Sequence, residues 1–299
     1  MCELDDFDEF SRYADTVSRR QFANWVLGAG LTAAWPRLAS AAAPGAAAPG
    51  AAATTGSDVE IKTADGTCDA YFVHPVNGKY PGILIWPDIF GLRPAFKGMA
   101  ARLAASGYSV LVVNPFYRTQ KAPTAPEHPD LGDPSTRQAL MALAGSLSPG
   151  TAVIDAKAFV AYLDAQASVD KEHKIGTTGY CMGGPFVFRT AALLPDRVGA
   201  AATFHGGGLV TNKPDSPHLL IPQMKAHFLI AIAANDDEQQ PDAKDVLRES
   251  FAKAELPATV DVYPGTLHGW CPPDSAVYNH DQAEIAWNHL LALLKTSLA

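Results

Sequence analysis

The stretch GTTGYCMGG at residues 176–184 places Cys181 between Gly179 and Gly183, directly after a run that predicts a β-strand. The apolar run GGPFVFRTAALL, from residue 183 onward, predicts a helix on the other side. A sharp strand-to-helix turn needs small neighbours so that the side chain at its apex stands free. The positive end of the helix dipole also favours the thiolate, which is the reactive form of cysteine. The stretch therefore predicts either a reactive thiol on a tight turn or a buried thiol in a glycine-rich bend.

Strands and helices alternate on both sides of this turn. Residues 58–75, DVEIKTADGTCDAYFVHP, predict a β-hairpin that reverses at Asp65 and Gly66. From there, longer helical segments alternate with short apolar runs that predict buried strands. These runs are GILIWPD, SVLVVNPF, KIGTTGYC, VGAAATFHGG, AHFLIAIAAND and ATVDVYPG. The order predicts a single α/β domain over residues 57–299, in which a doubly wound, mostly parallel sheet is led by an antiparallel hairpin.

Two segments that follow later strands carry the residue types that activate a thiol. YPGTLHGWC places His268 just after the last predicted strand, and AANDDEQQP places Asp236 and Asp237 just after the preceding strand. Ligands of open α/β sheets bind beyond the carboxyl ends of the strands, where Cys181 also falls. The order nucleophile, acid, histidine along the chain is that of hydrolases with a nucleophile elbow. We therefore expect a nucleophile, a base and an acid that orients the base at this edge. His205, in FHGGG, also ends a strand but lacks this order, so it is interpreted as a pocket or structural residue.

From about residue 57 to residue 296, the chain resembles the dienelactone hydrolase family, a cysteine branch of the α/β-hydrolases. The matching segments are WPDIFG (86–91), GYCMGG (179–184), DDEQQP (236–241) and YPGTLHG (263–269). The resemblance implies the α/β-hydrolase fold and cleavage of an ester or lactone bond in a small molecule, with no metal or organic cofactor. It also implies Cys181 as the nucleophile, His268 as the base and Asp237 as the acid, because the family's acid precedes a proline at the spacing of Asp237 and Pro241. Counting from the end of the strand instead allows Asp236.

Two positions depart from the family's pattern. Where well-known members have a glutamate that contacts the nucleophilic thiol, this chain has Asp88, whose shorter side chain is expected to make that contact less closely. An arginine that follows the catalytic histidine in the family, and helps to hold the carboxylate of dienelactone, has no equivalent in HGWCPPD. Arg118, in NPFYR, is the remaining candidate cation. Hydrolase chemistry is therefore supported, whereas dienelactone as the substrate is not.

The expected reaction is a two-step acyl transfer. The Cys181 thiolate attacks the carbonyl carbon to give an acyl-thioester, which water activated by His268 then cleaves. The backbone N–H groups of Met182 and Ile89 are expected to bind the oxyanion. Side chains near the strand ends are candidates for the substrate pocket, with core packing as the alternative for each aromatic residue; they are Phe90, Tyr117, Arg118, Tyr180 and Trp270.

Composition and charge exclude several other classes of protein. A chain of 299 residues with 47% hydrophobic composition can bury a large core. The formal net charge is -8 and no run of Lys or Arg exceeds two residues, so nucleic-acid binding has no electrostatic footprint. The four cysteines lie far apart without a C-x-x-C pair, so neither a zinc ribbon nor a dense disulfide framework is expected.

The first 56 residues differ in character from the rest. Paired arginines in SRRQF (18–22) precede a short apolar run and a small-residue end near residues 41–43, which resembles a twin-arginine export signal. The apolar run at residues 22–35 is too short and too rich in Gly and Ala to span a bilayer stably. We expect recognition by the export machinery and a periplasmic location, with the Ala/Pro/Gly tract to residue 56 as a flexible leader. The alternative is a surface amphipathic helix with a chance arginine pair on a cytoplasmic protein.

Two other functions use the same residues differently. A redox or sensor protein could use Cys181 as its reactive thiol and Cys271, close to His268 in sequence, as the resolving thiol. A binding protein could retain the hydrolase scaffold without catalysis, for which a degraded set of catalytic residues would be the signature. The sequence favours the hydrolase because residues of all three required types follow the three expected strands, and it leaves the oligomeric state open.

Overall fold

The computed structural model describes residues 52–127, 129 and 131–298. The predicted export signal and most of the leader lie outside these residues. The chain begins with a hairpin of β1 (Thr54–Thr63) and β2 (Gly66–Pro75), which starts slightly before the expected domain boundary at residue 57. The hairpin reverses where Thr63 pairs with Gly66, as the Asp65 and Gly66 signal predicts.

In the part of the chain that the structure describes, six strands and seven α-helices follow the hairpin. In chain order they are β3 (Gly82–Trp86), α1 (Pro94–Ala105), β4 (Ser109–Val113), α2 (Pro134–Gly145), α3 (Pro149–Ala165), β5 (Ile175–Tyr180), α4 (Gly184–Leu193), β6 (Val198–Phe204), β7 (His227–Ala233), α5 (Ala234–Gln239), α6 (Ala243–Lys253), β8 (Ala258–Tyr263) and α7 (His280–Ser297).

All eight strands form one sheet in the order β1-β2-β4-β3-β5-β6-β7-β8. The pairs β1/β2 and β2/β4 are antiparallel, and every other neighbouring pair is parallel. The central strands β3, β4, β5 and β6 are buried along their whole length, which explains their unbroken apolar sequences. This arrangement confirms the predicted α/β-hydrolase fold with its leading antiparallel hairpin.

Helices cover both faces of the sheet and divide the core into two layers. One layer packs α2, α3, α4 and α6 against one face, with Phe159, Phe188 and Phe251 among its buried side chains. The other packs α1 and α7 against the opposite face, around Phe96 and Trp287. The carboxyl ends of the parallel strands therefore open on one edge between the two layers, where the loops carry the candidate residues.

The helices α2 and α3 begin with strong local signals. Asp133 accepts a hydrogen bond from the backbone N–H of Thr136 at 2.8 Å, and Ser148 accepts one from the N–H of Thr151 at 3.1 Å. A proline occupies the first turn of each helix, where its missing N–H costs nothing. The short turn between these helices is thereby fixed, and it forms one wall of the cavity described below. Among the described residues, no single helix is long and apolar enough to cross a membrane, and only α2 and α3 taken together, across a 76° bend, meet that length and composition.

Candidate active site

Cys181 occupies the apex of the turn between β5 and α4. Its backbone φ is +52°, a left-handed conformation that non-glycine residues adopt rarely and that is concentrated at functional sites. A 3-10 turn over Cys181–Gly183 leads directly into α4, so the residue lies at a helix N-terminus. The side chain is buried apart from its face toward a cavity. This is the strained elbow that the glycine spacing predicts.

The two flanking glycines are required by close backbone contacts. A Cβ atom on Gly179 would overlap the carbonyl oxygen of Gly183, and a Cβ atom on Gly183 would overlap the carbonyl oxygen of Trp86. The elbow therefore presses against the end of β3 as well as against itself. Alanine at either position would push the turn away from the sheet and move the thiol.

His268 lies beside the elbow and is held by Asp236. The Nδ1–H group of His268 donates to both carboxylate oxygens of Asp236, at 2.9 and 3.0 Å. Asp237, the acid expected from the proline spacing, instead accepts a hydrogen bond from the Lys244 ammonium at 2.6 Å. In the structure the contact expected of Asp237 is therefore made by Asp236, the position counted from the strand end, and Asp237 does not reach the histidine.

The reason lies in α5, a short helix that follows β7 directly. Asp236 and Asp237 are in its first turn, so their side chains diverge by the rotation of about 100° per residue of a helix rather than by strand alternation. Asn235 accepts a hydrogen bond from the backbone N–H of His268 at 2.8 Å. One end of this helix therefore fixes both the ring and the backbone of the histidine.

The protonation of His268 is set by two neighbouring groups. Burial alone would lower the pKa of His268, but Asp236 and Cys181 outweigh it through charge and hydrogen bonding and hold that pKa well above its ordinary value. The histidine is thus suited to carry a proton next to the Cys181 sulfur.

A cavity of about 230 Å³ opens from Cys181 and His268. Ala144, Leu147 and Phe186 give it an apolar lining, and the glycine-rich loop after β6 also lines it. Ile89 and Met182, the predicted oxyanion-hole residues, also line it. Within the described part of the chain, no acceptor engages the backbone N–H of Ile89. The cavity can therefore hold a small ester with its carbonyl carbon at the thiol and its oxygen near this N–H group.

The profile of the dienelactone hydrolase family matches residues 68–298 of the chain. The chain belongs to the dienelactone hydrolase family. It is therefore a hydrolase of ester or lactone bonds, which confirms the activity class expected from the sequence.

Similar proteins agree with this assignment. The carboxymethylenebutenolidase of Rhodococcus opacus is 27% identical over 215 residues, which cover 71% of this chain and 79% of that protein. A solved structure described as a dienelactone hydrolase-like promiscuous phosphotriesterase from metagenomic libraries superimposes with a TM-score of 0.69 at 20% identity, over 83% of this chain and 100% of that one. A dienelactone hydrolase from Anabaena variabilis gives a TM-score of 0.59 at 14% identity, over 82% and 99% of the two chains. The two structures show a shared fold.

In this dienelactone hydrolase family member, none of the five residues expected to contact substrate is among those that line the cavity. Tyr180 stacks on Phe204 and Trp270 is fully buried, both in the core layer of α1 and α7. Tyr117 donates to Asp155 at 2.8 Å inside the other layer. Phe90 packs beside the Arg93 guanidinium, and Arg118 forms ion pairs with Asp155 and Asp65. Their aromatic and apolar surface is used for packing, which is the alternative stated above for the aromatic residues.

Asp88 also differs from its expected role. Its carboxylate binds the Arg93 guanidinium through two hydrogen bonds of 2.6 and 2.9 Å and accepts a third from the backbone N–H of Phe90 at 3.0 Å. The Asp88 carboxylate is therefore held by hydrogen bonds to Arg93 and Phe90, and none of these three contacts involves the Cys181 thiol. In this family member the position is therefore part of an ion cluster instead of a partner of Cys181.

His205 packs directly against His268. Its ring meets the His268 ring edge-on at 5.0 Å between centroids and the Trp270 ring at 5.1 Å. Burial lowers the pKa of His205 well below its ordinary value, and the nearby His268 lowers it further. Among the described residues, neither of its ring nitrogens has a hydrogen-bond partner. His205 is thus a neutral wall behind His268, in line with the structural interpretation of this residue.

Sequence reasoning missed several residues of the site. Pro185 and Arg189 line the cavity because they follow Cys181 at intervals of four residues, which places them on one face of α4. That spacing was available as a signal. Lys213 and Asp215, on the loop after β6, also line the cavity, and their positions depend on tertiary structure. Arg189 donates to the backbone carbonyl of Asp215 at 2.9 Å, so this side of the cavity is polar.

The described cysteines are free thiols. Cys271 is buried in the second core layer, and that burial raises its pKa well above the ordinary value. A Cys181–Cys271 bridge, which would favour the redox alternative, is absent from the described residues. No cluster of three or more His, Cys, Asp or Glu side chains in this part of the chain could hold a metal ion.

Proposed function

We propose that this hydrolase cleaves its substrate through a Cys181–His268–Asp236 triad and an acyl-thioester intermediate. The contact of His268 with both oxygens of Asp236, beside a left-handed elbow that carries Cys181, supports the proposal most directly. A nucleophile, a base and a group that orients the base are then within one cavity wall. The expected preference for Asp237 is replaced by Asp236 on this geometry.

The first half of the reaction forms the thioester. The Cys181 thiolate attacks the carbonyl carbon, and the electron pair of the C=O bond moves to the oxygen, which the N–H groups of Ile89 and Met182 stabilise. As the tetrahedral species collapses, the bond to the alcohol oxygen breaks and the His268 imidazolium gives its proton to the leaving alcohol. In a lactone, the alcohol remains attached to the acyl group.

The second half releases the acid. Neutral His268 takes a proton from water as the water oxygen attacks the thioester carbonyl, and the sulfur leaves as a thiolate. The imidazolium and the thiolate are thereby restored together. Asp236 contributes throughout by fixing the ring with Nδ1–H toward the carboxylate, so that Nε2 faces the reacting atoms.

A trapping experiment tests the triad. The protein is mixed with a slowly hydrolysed aryl ester, quenched in acid and examined by intact and peptide mass spectrometry. We expect one acyl group on the peptide that contains Cys181, no adduct and no turnover for Cys181→Ala, and slow turnover for Cys181→Ser. Unchanged ester hydrolysis by Cys181→Ala would remove the nucleophile assignment, and a disulfide to Cys271 during turnover would favour the redox alternative.

The substrate class follows from the cavity. We propose a small ester or lactone, as the name of the Rhodococcus opacus relative implies, because a cavity of about 230 Å³ with one apolar wall and one polar side suits a molecule of that size. Arg118, the cation expected to hold a carboxylate, is engaged by Asp155 and Asp65 outside the cavity. A panel of charged and neutral lactones, aryl esters and thioesters, ranked by kcat/KM, decides between these substrates.

We also propose that the chain is exported through the twin-arginine motif at residues 18–22. Changing Arg19 and Arg20 together to lysine should leave the precursor in the cytoplasm, with hydrolase activity unaltered in lysates. Cell fractionation measures the outcome, and accumulation of this variant in the periplasm at the wild-type level contradicts the signal.

A further inference from the structure

Arg93 forms the centre of a buried ion cluster next to the site. Its guanidinium donates to both oxygens of Asp88, at 2.6 and 2.9 Å, and to both oxygens of Asp274, at 2.6 and 3.0 Å. The rings of Phe90 and Phe96 lie 5.3 and 4.9 Å from the guanidinium carbon. Only 9% of the Arg93 side chain and 8% of the Asp88 side chain are exposed, whereas Asp274 is partly exposed. The two carboxylates and the two aromatic rings together restrain the orientation of the Arg93 guanidinium.

One end of the cluster shapes the turn that carries Ile89. Asp88 accepts a hydrogen bond from the backbone N–H of Phe90 at 3.0 Å, and the N–H of Gly91 donates to the backbone carbonyl of Asp88 at 2.9 Å. Arg93 also donates to the carbonyl of Gly91 at 3.3 Å. Ile89 stands at the apex of this turn and lines the cavity. The N–H group of Ile89 takes no part in these contacts, which leaves it available to an oxygen atom bound in the cavity that Ile89 lines.

The other end of the cluster lies on the segment that follows His268. Asp274 comes six residues after His268, beyond Gly269, whose φ of +98° marks a sharp change of direction. The Arg93–Asp274 hydrogen bonds therefore link the turn after β3 to the segment after β8. These two loops belong to different parts of the chain, and both must be placed correctly against Cys181.

We propose that the Asp88–Arg93–Asp274 cluster is a positioning device that holds the Ile89 N–H group of the oxyanion hole in register with Cys181 and His268. The inference rests on the proposed cysteine mechanism. Preorganised donors at the oxyanion contribute strongly to catalysis, and a small displacement of one donor is enough to lose much of that contribution. The cluster thus acts on the transition state through the backbone, and Asp88 acts through Arg93 and the turn without touching the thiol.

The chain offers a matched control for the test. Arg118 is held in the same way by a buried aspartate, Asp155, and by a partly exposed one, Asp65. The partly exposed partners are nearly equal in exposure, at 36% for Asp274 and 35% for Asp65. Asp274→Asn and Asp65→Asn therefore remove equivalent carboxylates, one on the loop at the site and one on the hairpin turn.

Three measurements on the two full-length variants separate positioning from stability. For Asp274→Asn we expect about a tenfold loss of kcat for an aryl ester, part of the effect of removing an oxyanion donor outright. The inhibition constant of a trifluoromethyl ketone, which forms a tetrahedral adduct with a thiolate, should rise by a similar factor. The rate of Cys181 alkylation by iodoacetamide, which needs no oxyanion hole, should stay within about twofold, and Asp65→Asn should leave all three unchanged.

Each other outcome overturns the inference in a recognisable way. If the two variants change kcat equally and also change thermal stability equally, the cluster only stabilises the fold and does not position the Ile89 N–H group. A matching loss of alkylation rate in Asp274→Asn would place its effect on the thiolate and His268 instead of the oxyanion hole. If Asp274→Asn folds poorly, Arg93→Lys, which keeps the charge but cannot bind both carboxylates in pairs, gives the same readouts. Failure of the mechanism itself is seen separately, as ester turnover by Cys181→Ala.

Discussion

Two arginines in this structure have almost the same surroundings and very different positions. Arg93 and Arg118 each bind one buried and one partly exposed aspartate, and each lies against an aromatic ring. The first joins two loops at the strand ends, beside the elbow. The second joins the β1–β2 turn to α3, away from the cavity. The comparison shows that the local chemistry of an ion cluster does not reveal its role, because the role depends on which loops the cluster connects.

The largest expected effects come from removing either arginine. Arg93→Met and Arg118→Met each leave a buried aspartate without its counter-ion, which should lower the free energy of unfolding by about 3–5 kcal/mol. Urea denaturation followed by circular dichroism measures this loss. Below the melting temperature, folded Arg118→Met should keep its kcat, while folded Arg93→Met should not. Equal kcat values in the two folded variants would erase the contrast between the clusters.

The next effect concerns the two neighbouring acids, which show the same contrast over one residue. Asp236→Asn should lower kcat/KM by roughly a hundredfold, about 2.7 kcal/mol in the barrier, because the amide no longer fixes the histidine or stabilises its charge. Asp237→Asn should change it little, since Asp237 binds Lys244 instead. Steady-state kinetics on one ester measure both. The reverse order of losses would return the role to Asp237.

The same pair of variants predicts a shift with pH. The raised pKa of His268 means that its proton persists as pH rises until that raised pKa is passed. Because Asp236 raises the pKa of His268 through its charge, Asp236→Asn should move the alkaline limb of the kcat/KM profile to lower pH. Asp237→Asn should leave the limb in place.

A smaller effect is expected when both partners of a cluster become apolar. In Arg118→Met with Asp155→Leu, no buried charge is left unpaired and Tyr117 can still bind Thr63, so stability should lie within about 1–2 kcal/mol of the wild type. Arg93→Met with Asp88→Leu should recover stability in the same way but not kcat. Recovery of kcat by this second double variant would show that catalysis needs only a stable contact at this position and not the hydrogen bonds of the cluster.

The smallest effect is expected at an exposed ion pair between an arginine and a glutamate. Arg102 and Glu284 form two hydrogen bonds, at 2.6 and 2.5 Å, with side chains that are 45% and 33% exposed. Solvent and salt screen such a pair, so Glu284→Gln should cost less than about 1 kcal/mol. The hydrogen bond from Arg102 lowers the pKa of Glu284, so the contribution is present at neutral pH and is lost as pH falls through that pKa. Denaturation at pH 7 and pH 3, with and without 1 M NaCl, measures this contribution to the free energy of unfolding. A loss as large as that in Arg118→Met would show that burial does not determine how much an ion pair contributes.

The sequence by itself determined the fold and the three residue types of the proposed triad. Unbroken apolar runs alternating with longer helical segments predict a parallel sheet. A strand that helices cover on both faces has no face toward solvent, so its side chains are apolar throughout. Gly179 and Gly183 predict the elbow, because only glycine allows backbone to approach so closely. Cys181 and His268 follow from their places at strand ends, since such ends meet at one edge of the sheet.

Only the tertiary structure decided which acid contacts His268 and which arginine lies beside the elbow. Asp236 and Asp237 are the same residue type one position apart, and the short helix α5, which no apolar pattern marks, turns one toward His268 and the other toward Lys244. Arg118 follows a strand just as a binding residue would, yet Asp155 on a distant helix engages it. Aromatic residues near strand ends likewise pack into the core. The local sequence does not show whether an aromatic side chain faces the core or the cavity, because its apolar surface suits both. Long-range partners set these choices, and a linear pattern does not contain them.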